Sequence, residues 1–407
     1  MMQRRAHTTC NPYCLLSVAR LLDFAVEGVF SLPERLQNHD VPRITAVRGW
    51  QRYIIFGCLC SDGCSGVGVM PEARITSRRS FLANCIGGAV GMAAAVPDTV
   101  EAASQFANQH QARVVVAQDA RLRDAGGSVD DERVLGLLDR AMMSLAEVDE
   151  PLHPWNSLVR PGQMVGIKVN TLGGRGLSSN VQLVGAICER LLGAGVRAQQ
   201  IVVWDRDSAE LERAGFRIRT GGNQVQCYGT DRAGYEEDLV SFGAVGSRLS
   251  RILTQRCDVL INVPVLKDHD GAGVTIALKN MYGVIHNPNK YHPNGCDPYI
   301  ADVNMLSEIR SKLRLTICDA TTACFEGGPS YKPEFAWQHN AVLVAQDPVA
   351  LDTIGWQVIE RKRAEKGLKA LDVEGRAPRY IATAADAAHR LGVNILKHIT
   401  LVEVEAV

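Results

Sequence analysis

Lys267, His269 and Asp270 fall within one short stretch, Val263-Pro264-Val265-Leu266-Lys267-Asp268-His269-Asp270, and supply a cation, a switchable base or metal ligand, and a carboxylate. Gly271 and Gly273 follow and free the backbone to approach a ligand closely. The pattern predicts a helix over Val274-Ile285, beginning near Gly273 or Val274, whose first N–H groups would favour an anion in the same place. On that helix Thr275 and Lys279 are four residues apart and share a face, and Asn280 comes next. The chemistry implied is capture of a small anion. Lys267 would hold the charge, His269 would act as general base or metal ligand, and Asp270 would ligate a metal or orient the basic groups.

Four other polar clusters also follow apolar runs directly. They are Lys168-Val169-Asn170 ahead of Gly173-Gly174-Arg175-Gly176, Asp205-Arg206-Asp207 after Val203-Trp204, Asp319-Ala320-Thr321-Thr322, and Asp347-Pro348. In open α/β sheets ligands bind beyond the carboxyl ends of the strands, where such clusters sit. Lys168 and Asn170 therefore join Thr275, Lys279 and Asn280 as candidate ligand-binding residues, and Asp319 and Asp352 are candidate metal ligands. Asp347 followed by Pro348 reads first as a helix start, with Asp as N-cap and Pro at N1. His286, His292 and His339 share no H-x-x-x-H spacing and read as loop histidines. The chain has no G-x-G-x-x-G fingerprint, Walker sequence or G-x-S-x-G elbow.

The elements that must position these residues are short β-branched runs alternating with amphipathic stretches. Strands are predicted at Arg113-Val116, Met164-Val169, Ile201-Trp204, Val259-Val263, Leu315-Cys318 and Ala341-Ala345. Helices are predicted at Asp131-Ala146, Val181-Leu192, Val274-Ile285, Ile300-Leu313 and Pro348-Arg363. Near-continuous apolar strands suit burial on both faces, so the fold class is α/β: a mostly parallel sheet flanked by helices on both faces, preceded by a non-globular N-terminal leader. Residues 103–407 form one domain in this reading, with 205–248 as an insertion or small subdomain.

Ahead of that domain, Ser77-Arg78-Arg79-Ser80-Phe81-Leu82 is a twin-arginine motif. A Gly- and Ala-rich apolar run from Leu82 to Val96 and a V-x-A cleavage site at Val100-Glu101-Ala102 complete an export leader of the Tat type over 70–102. Met70 begins an ordinary leader, so residues 1–69 are expected to be an upstream extension produced by gene prediction. The Tat translocase is then the partner during export, and the mature protein is expected in the periplasm or secreted, with no membrane span after cleavage. Lys plus Arg and Asp plus Glu balance at 44 each, which leaves no basic footprint for nucleic acid. Cys188, Cys227, Cys257, Cys296, Cys318 and Cys324 form no C-x-x-C, so the sequence offers no local iron–sulfur motif, and the apolar runs around several of them point to burial.

The stretch from Val263 to His269, together with Thr275-Ile276-Ala277-Leu278-Lys279-Asn280-Met281-Tyr282-Gly283, resembles the core signature of the family called domain of unknown function 362. Lys168-Val169-Asn170 is similar to that family's K-x-N element, Gly328-Pro329 to its G-P, and Asp347-Pro348-Val349-Ala350-Leu351-Asp352 to its D-P-V-A-x-D helix. Pro378-Arg379-Tyr380-Ile381 through Leu391-Gly392-Val393 resembles its end. The resemblance implies a Tat-exported protein; it supplies no substrate, and the ferredoxin-type module fused to some relatives has no counterpart in this sequence. The expected function is an exported enzyme acting on, or binding, a small anionic molecule, with a divalent metal as candidate cofactor. The alternatives are a non-catalytic extracytoplasmic binding protein and a redox or iron–sulfur-associated protein.

Overall fold

A computed structural model describes residues 111–405; Arg78 and Arg79, the expected leader and the upstream extension lie outside the described residues. In chain order, strand β1 (Ala112–Gln118) and helix α1 (Asp131–Ala146) are followed by β2 (Val165–Val169), α2 (Val181–Gly193), β3 (Ile201–Trp204), α3 (Ser208–Ala214) and β4 (Gln226–Cys227). A hairpin of β5 (Val240–Phe242) and β6 (Val245–Ser247) precedes β7 (Val259–Val263), β8 (Val265–His269), β9 (Gly273–Thr275) and α4 (Ala277–Asn280). Then come α5 (Tyr299–Asn304), α6 (Ser307–Lys312), β10 (Leu313–Cys324), β11 (Ala336–Trp337), β12 (Ala341–Ala345), α7 (Pro348–Glu365), α8 (Tyr380–Ala385) and β13 (Ile399–Glu405), and three short helices, His153–Leu158, Thr230–Ala233 and Arg251–Arg256, lie in the connections.

Eleven strands form one mixed sheet with the order β13-β1-β12-β10-β7-β2-β3-β4, to which β8, β9 and β11 attach. The block β10-β7-β2-β3-β4 is parallel throughout, and β12 runs antiparallel to both of its neighbours. Period-two alternation sends successive residues to opposite faces. Val202, Trp204, Leu260, Cys318 and Leu343 enter one apolar core, while Ile201, Val203, Ile261, Ile317 and Val344 enter the other. The second core is closed by α1, α2 and α3, and the first by α4 through α8. Burial on both faces is why these strands read as unbroken apolar runs.

Helix starts follow from short acceptors in the sequence. Asp130 accepts from the Arg133 N–H, Asn180 from Gln182 and Leu183, and Asp347 from Val349 and Ala350 with Pro348 at N1. Two expected helices differ in the structure. The one predicted from Val274 is instead β9 followed by the four-residue α4, because Val265–His269 continues as a strand and folds back on Gly273–Thr275. Gly273 has φ +81°, and a Cβ there would lie 2.3 Å from the Arg376 carbonyl oxygen, so glycine is needed for the turn. The helix predicted over 300–313 breaks into α5 and α6. There Asn304 Nδ2 donates to the Ile300 and Leu278 carbonyls, and Leu306 is extended at ψ 130°.

Candidate functional site

Beyond the carboxyl ends of β2 and β3 lies a cavity of ≈ 330 Å³ whose lining includes Lys168, Asn170, Lys267, His269, Thr275, Lys279 and Asn280. Seven residues proposed from sequence thus meet in one place, joined by Asp205, Arg206, Glu210, Tyr282 and His292. Register explains the convergence. Lys168 stands between Trp204 and Asn262 across the parallel strands, and Lys267 faces Thr275 across the β8–β9 hairpin. Lys267 and His269 are two apart on a strand and share a face, whereas Asp268 between them turns away to Arg376 Nη1 at 2.9 Å and the Gly328 N–H.

A directional chain of hydrogen bonds supports the floor. Lys267 Nζ donates to Asn170 Oδ1 (2.9 Å), Asn170 Nδ2 to Asn280 Oδ1 (3.0 Å), Asn280 Nδ2 to Asn262 Oδ1 (2.7 Å), and Asn262 Nδ2 to the Ala277 carbonyl (2.9 Å). Lys168 Nζ pairs with Asp205 Oδ1 at 2.7 Å, and Asp205 Oδ2 accepts from the Thr171 N–H and hydroxyl. Gly283 packs on that pair: a Cβ there would lie 2.7 Å from Lys168 Nζ and 3.0 Å from Asp205 Oδ1.

The other two lysines have no carboxylate within ion-pair distance. Lys279 Nζ lies 3.3 Å from His292 Nε2 and 4.5 Å from the Tyr282 ring centroid. Burial pushes both Lys267 and Lys279 down to about 8. The Thr275 hydroxyl is buried in the same cavity with no hydrogen-bond partner.

The two imidazoles have opposite polarity. His269 Nδ1 accepts from the Gly271 N–H at 3.0 Å and the Ala272 N–H at 3.2 Å, which assigns the proton of the neutral ring to Nε2. Burial first, and Lys279 next, push its pKa down to about 2, so the ring stays neutral and acts as a donor. His292 Nδ1 faces the Pro288 carbonyl at 3.2 Å and must donate to it, leaving the Nε2 lone pair toward Lys279. Burial, and then Lys279, lower His292 as well. The rings stack with centroids 5.8 Å apart.

Three residues proposed from sequence lie apart from the cavity lining. Asp270 is an exposed turn residue whose Oδ1 accepts from the Gly271 N–H, 3.3 Å from His269 Nδ1. Asp319 is buried, with Oδ2 on the Asn180 N–H and Oδ1 on the Thr321 N–H. Asp352 is buried with Oδ1 on the Ala277 N–H at 2.6 Å and Oδ2 on the Leu278 N–H at 3.3 Å. It therefore occupies the first amide groups of the helix that does form, α4, which begins at Ala277 instead of near Gly273 or Val274. Burial drives the Asp352 carboxyl up to about 8, against those two bonds. Among the described residues no group of three or more His, Cys, Asp or Glu side chains is placed to hold a metal ion. Their six cysteines are free thiols, with burial pushing Cys188, Cys227 and Cys257 up to about 12. No described helix is long and apolar enough to cross a membrane.

His292, a loop histidine by its sequence, and Asn262 also belong to the site. His292 stands in a loop with no ligand spacing around it, and Asn262 sits inside an apolar strand, so only strand register reveals its place beside Lys168.

Residues 165–357 match the family described as Domain of unknown function (DUF362). No curated protein matches the chain. Among solved structures, a crystal structure of a Thermotoga maritima protein aligns at 9% identity and a TM-score of 0.33, covering 59% of this chain and 60% of that one.

Proposed function

We propose, from the family match over residues 165–357 and the cavity within that span, that the chain is an enzyme acting on a small anion held at the strand ends. The carrying observation is a buried, unpartnered Thr275 hydroxyl in a cavity that also holds two buried ammonium groups without ion pairs. Burying an unpaired charge is costly, and an anion bound by Lys267, Lys279 and Thr275 would relieve all three groups at once. Four cationic side chains line the space against two carboxylates, which favours the same sign of ligand. The neutral His269 donor and the His292 acceptor add an acid–base pair of the kind a reactive site uses.

Lys168, Asn170 and Asn280 fix the floor in this reading, Lys267 and Thr275 bind the charge, and His269 donates to a developing negative oxygen. Asp270 supports the His269 turn. The aspartates proposed as metal ligands serve backbone N–H groups, and no step here is routed through a metal. Titration of the whole chain with sulfate, compared with Lys267→Met, tests the reading. Wild-type binding weakened at least about tenfold in the variant supports it. Absence of binding by the wild type would sink it, and unchanged affinity in the variant would remove Lys267 from the site.

We also propose export through the Tat route to the periplasm or medium, supported by Arg78-Arg79 ahead of the apolar run. Replacing both by lysine should leave the protein in the cytoplasm at its precursor mass. Export unaffected by the replacement would refute the assignment.

A further inference from the structure

Lys279 differs from the other cavity lysines in what surrounds its nitrogen. Lys168 is paired with Asp205, and Lys267 is tied to the Asn170 amide. Lys279 Nζ has one polar neighbour in hydrogen-bond reach, the His292 Nε2 lone pair, and rests on the Tyr282 ring. The His292 tautomer is set from behind by the Pro288 carbonyl, so its free lone pair is directed at the lysine. Stacked on the face of the His292 ring is His269, whose Nε2 carries the proton. An amine, a base for its proton and a neutral donor for an oxygen therefore stand together in a cavity that also holds Lys267 and Thr275 for an acid group.

We propose that Lys279 is a nucleophile that captures the carbonyl carbon of a small oxo acid as an imine. This rests on the anion-site reading above and names its substrate class. His292 Nε2 takes a proton from the Lys279 ammonium, and the freed lone pair forms the N–C bond as the C=O π pair moves to oxygen. The His269 Nε2–H stabilises that oxygen without giving up its proton. His292 returns the proton it took to the oxygen, and a second proton leaves nitrogen for the same oxygen. Water departs as the nitrogen lone pair forms C=N. Ammonium plus carbonyl thus gives protonated imine plus one water, with no oxidant or reductant. The depression of Lys279 toward neutrality, caused by burial, raises the fraction of free amine available for the first step.

The whole chain is incubated with pyruvate or glyoxylate, reduced with borohydride, and analysed by intact mass and peptide mapping. One secondary amine on Lys279, competed by sulfate and absent with acetate or acetone, is the expected result. Lys279→Met should abolish it, and His292→Asn should slow it about a hundredfold, the scale of a lost general base. Mapping on the wild type keeps the test independent of how either variant folds. An adduct on other lysines overturns the proposal. Sulfate binding without any adduct overturns it while sparing the anion-site reading, and loss of both removes both.

Discussion

Thr275 Oγ1 lacks a hydrogen-bond partner although the residue is only 5% exposed, and an orphaned buried hydroxyl costs a fold about 1–3 kcal/mol. Thr275→Val keeps the shape and removes the orphan. The variant should therefore unfold at higher urea, by about 1 kcal/mol, while binding sulfate several-fold more weakly. Equal losses of stability and binding would mean that the hydroxyl has a structural partner instead. The lysines make a second prediction with two opposite signs. Lys267 and Lys279 lie at about 8 instead of 10.5, so sulfate affinity should be full below pH 8 and fall as pH rises through it. In the ligand-free protein the unfolded chain holds protons between 8 and 10.5 that the folded chain has released. Stability should consequently rise with pH across that window. Parallel titrations of binding and urea midpoint check both slopes, and Lys267→Met should reduce each to the part owed to Lys279.

At the scale of elements, α4 is held from across the core by Asp352 of α7, whose two oxygens accept the Ala277 and Leu278 N–H groups. Asp352→Ala orphans two donors and should cost about 2–4 kcal/mol in chemical denaturation. Asp352→Asn keeps one acceptor and should recover part of the loss. The same carboxylate shows where the sequence was legible. Its helix could be read from Asp347-Pro348, but its partner 75 residues away could not, because tertiary hydrogen bonds leave no periodic trace. The strands were read well, since two-sided burial writes itself as apolar runs. Lys168, Asn170 and Lys267 were found because they lie on or just beyond such runs. The β8–β9 hairpin was missed because Gly271-Ala272-Gly273 reads equally as a helix entry until Arg376 is seen packed on Gly273. His292 reads as a loop histidine for lack of any local pattern.

For the molecule as a whole, segments distant in sequence are tied by ionic contacts built around the buried Arg363, Asp268 and His389. Arg363 bridges Glu326 and Glu374, and Arg376 joins the same two glutamates to Asp268 behind the cavity wall. His389 connects the chain after α8 to α5, with Nε2 2.9 Å from Asp302 Oδ1 and Nδ1 2.8 Å from Asp386 Oδ1. Burial alone would lower this histidine, but the two carboxylates outweigh it and raise its pKa. A raised folded pKa contributes stability that is complete below the unfolded value of 6.5 and is lost as pH rises through the folded one. Urea midpoints should accordingly decline with pH just above 6.5, and His389→Gln should remove that slope.

The Asn170–Asn280–Asn262 chain has a consequence for how finely the cavity is set. Each amide accepts through its oxygen and donates through its nitrogen in a fixed direction, so the chain steadies the neighbouring ammonium groups of Lys267 and Lys168 without contributing any charge. Asparagine and aspartate are nearly the same size, and exchanging one NH₂ for an oxygen at Asn170 would place a carboxylate against Lys267. The new oxygen would face Asn280 Oδ1 as a second acceptor, and the added charge would attract Lys267 in place of an incoming anion. The charge that Lys267 offers a ligand thus depends on the neutrality of one amide in the cavity lining.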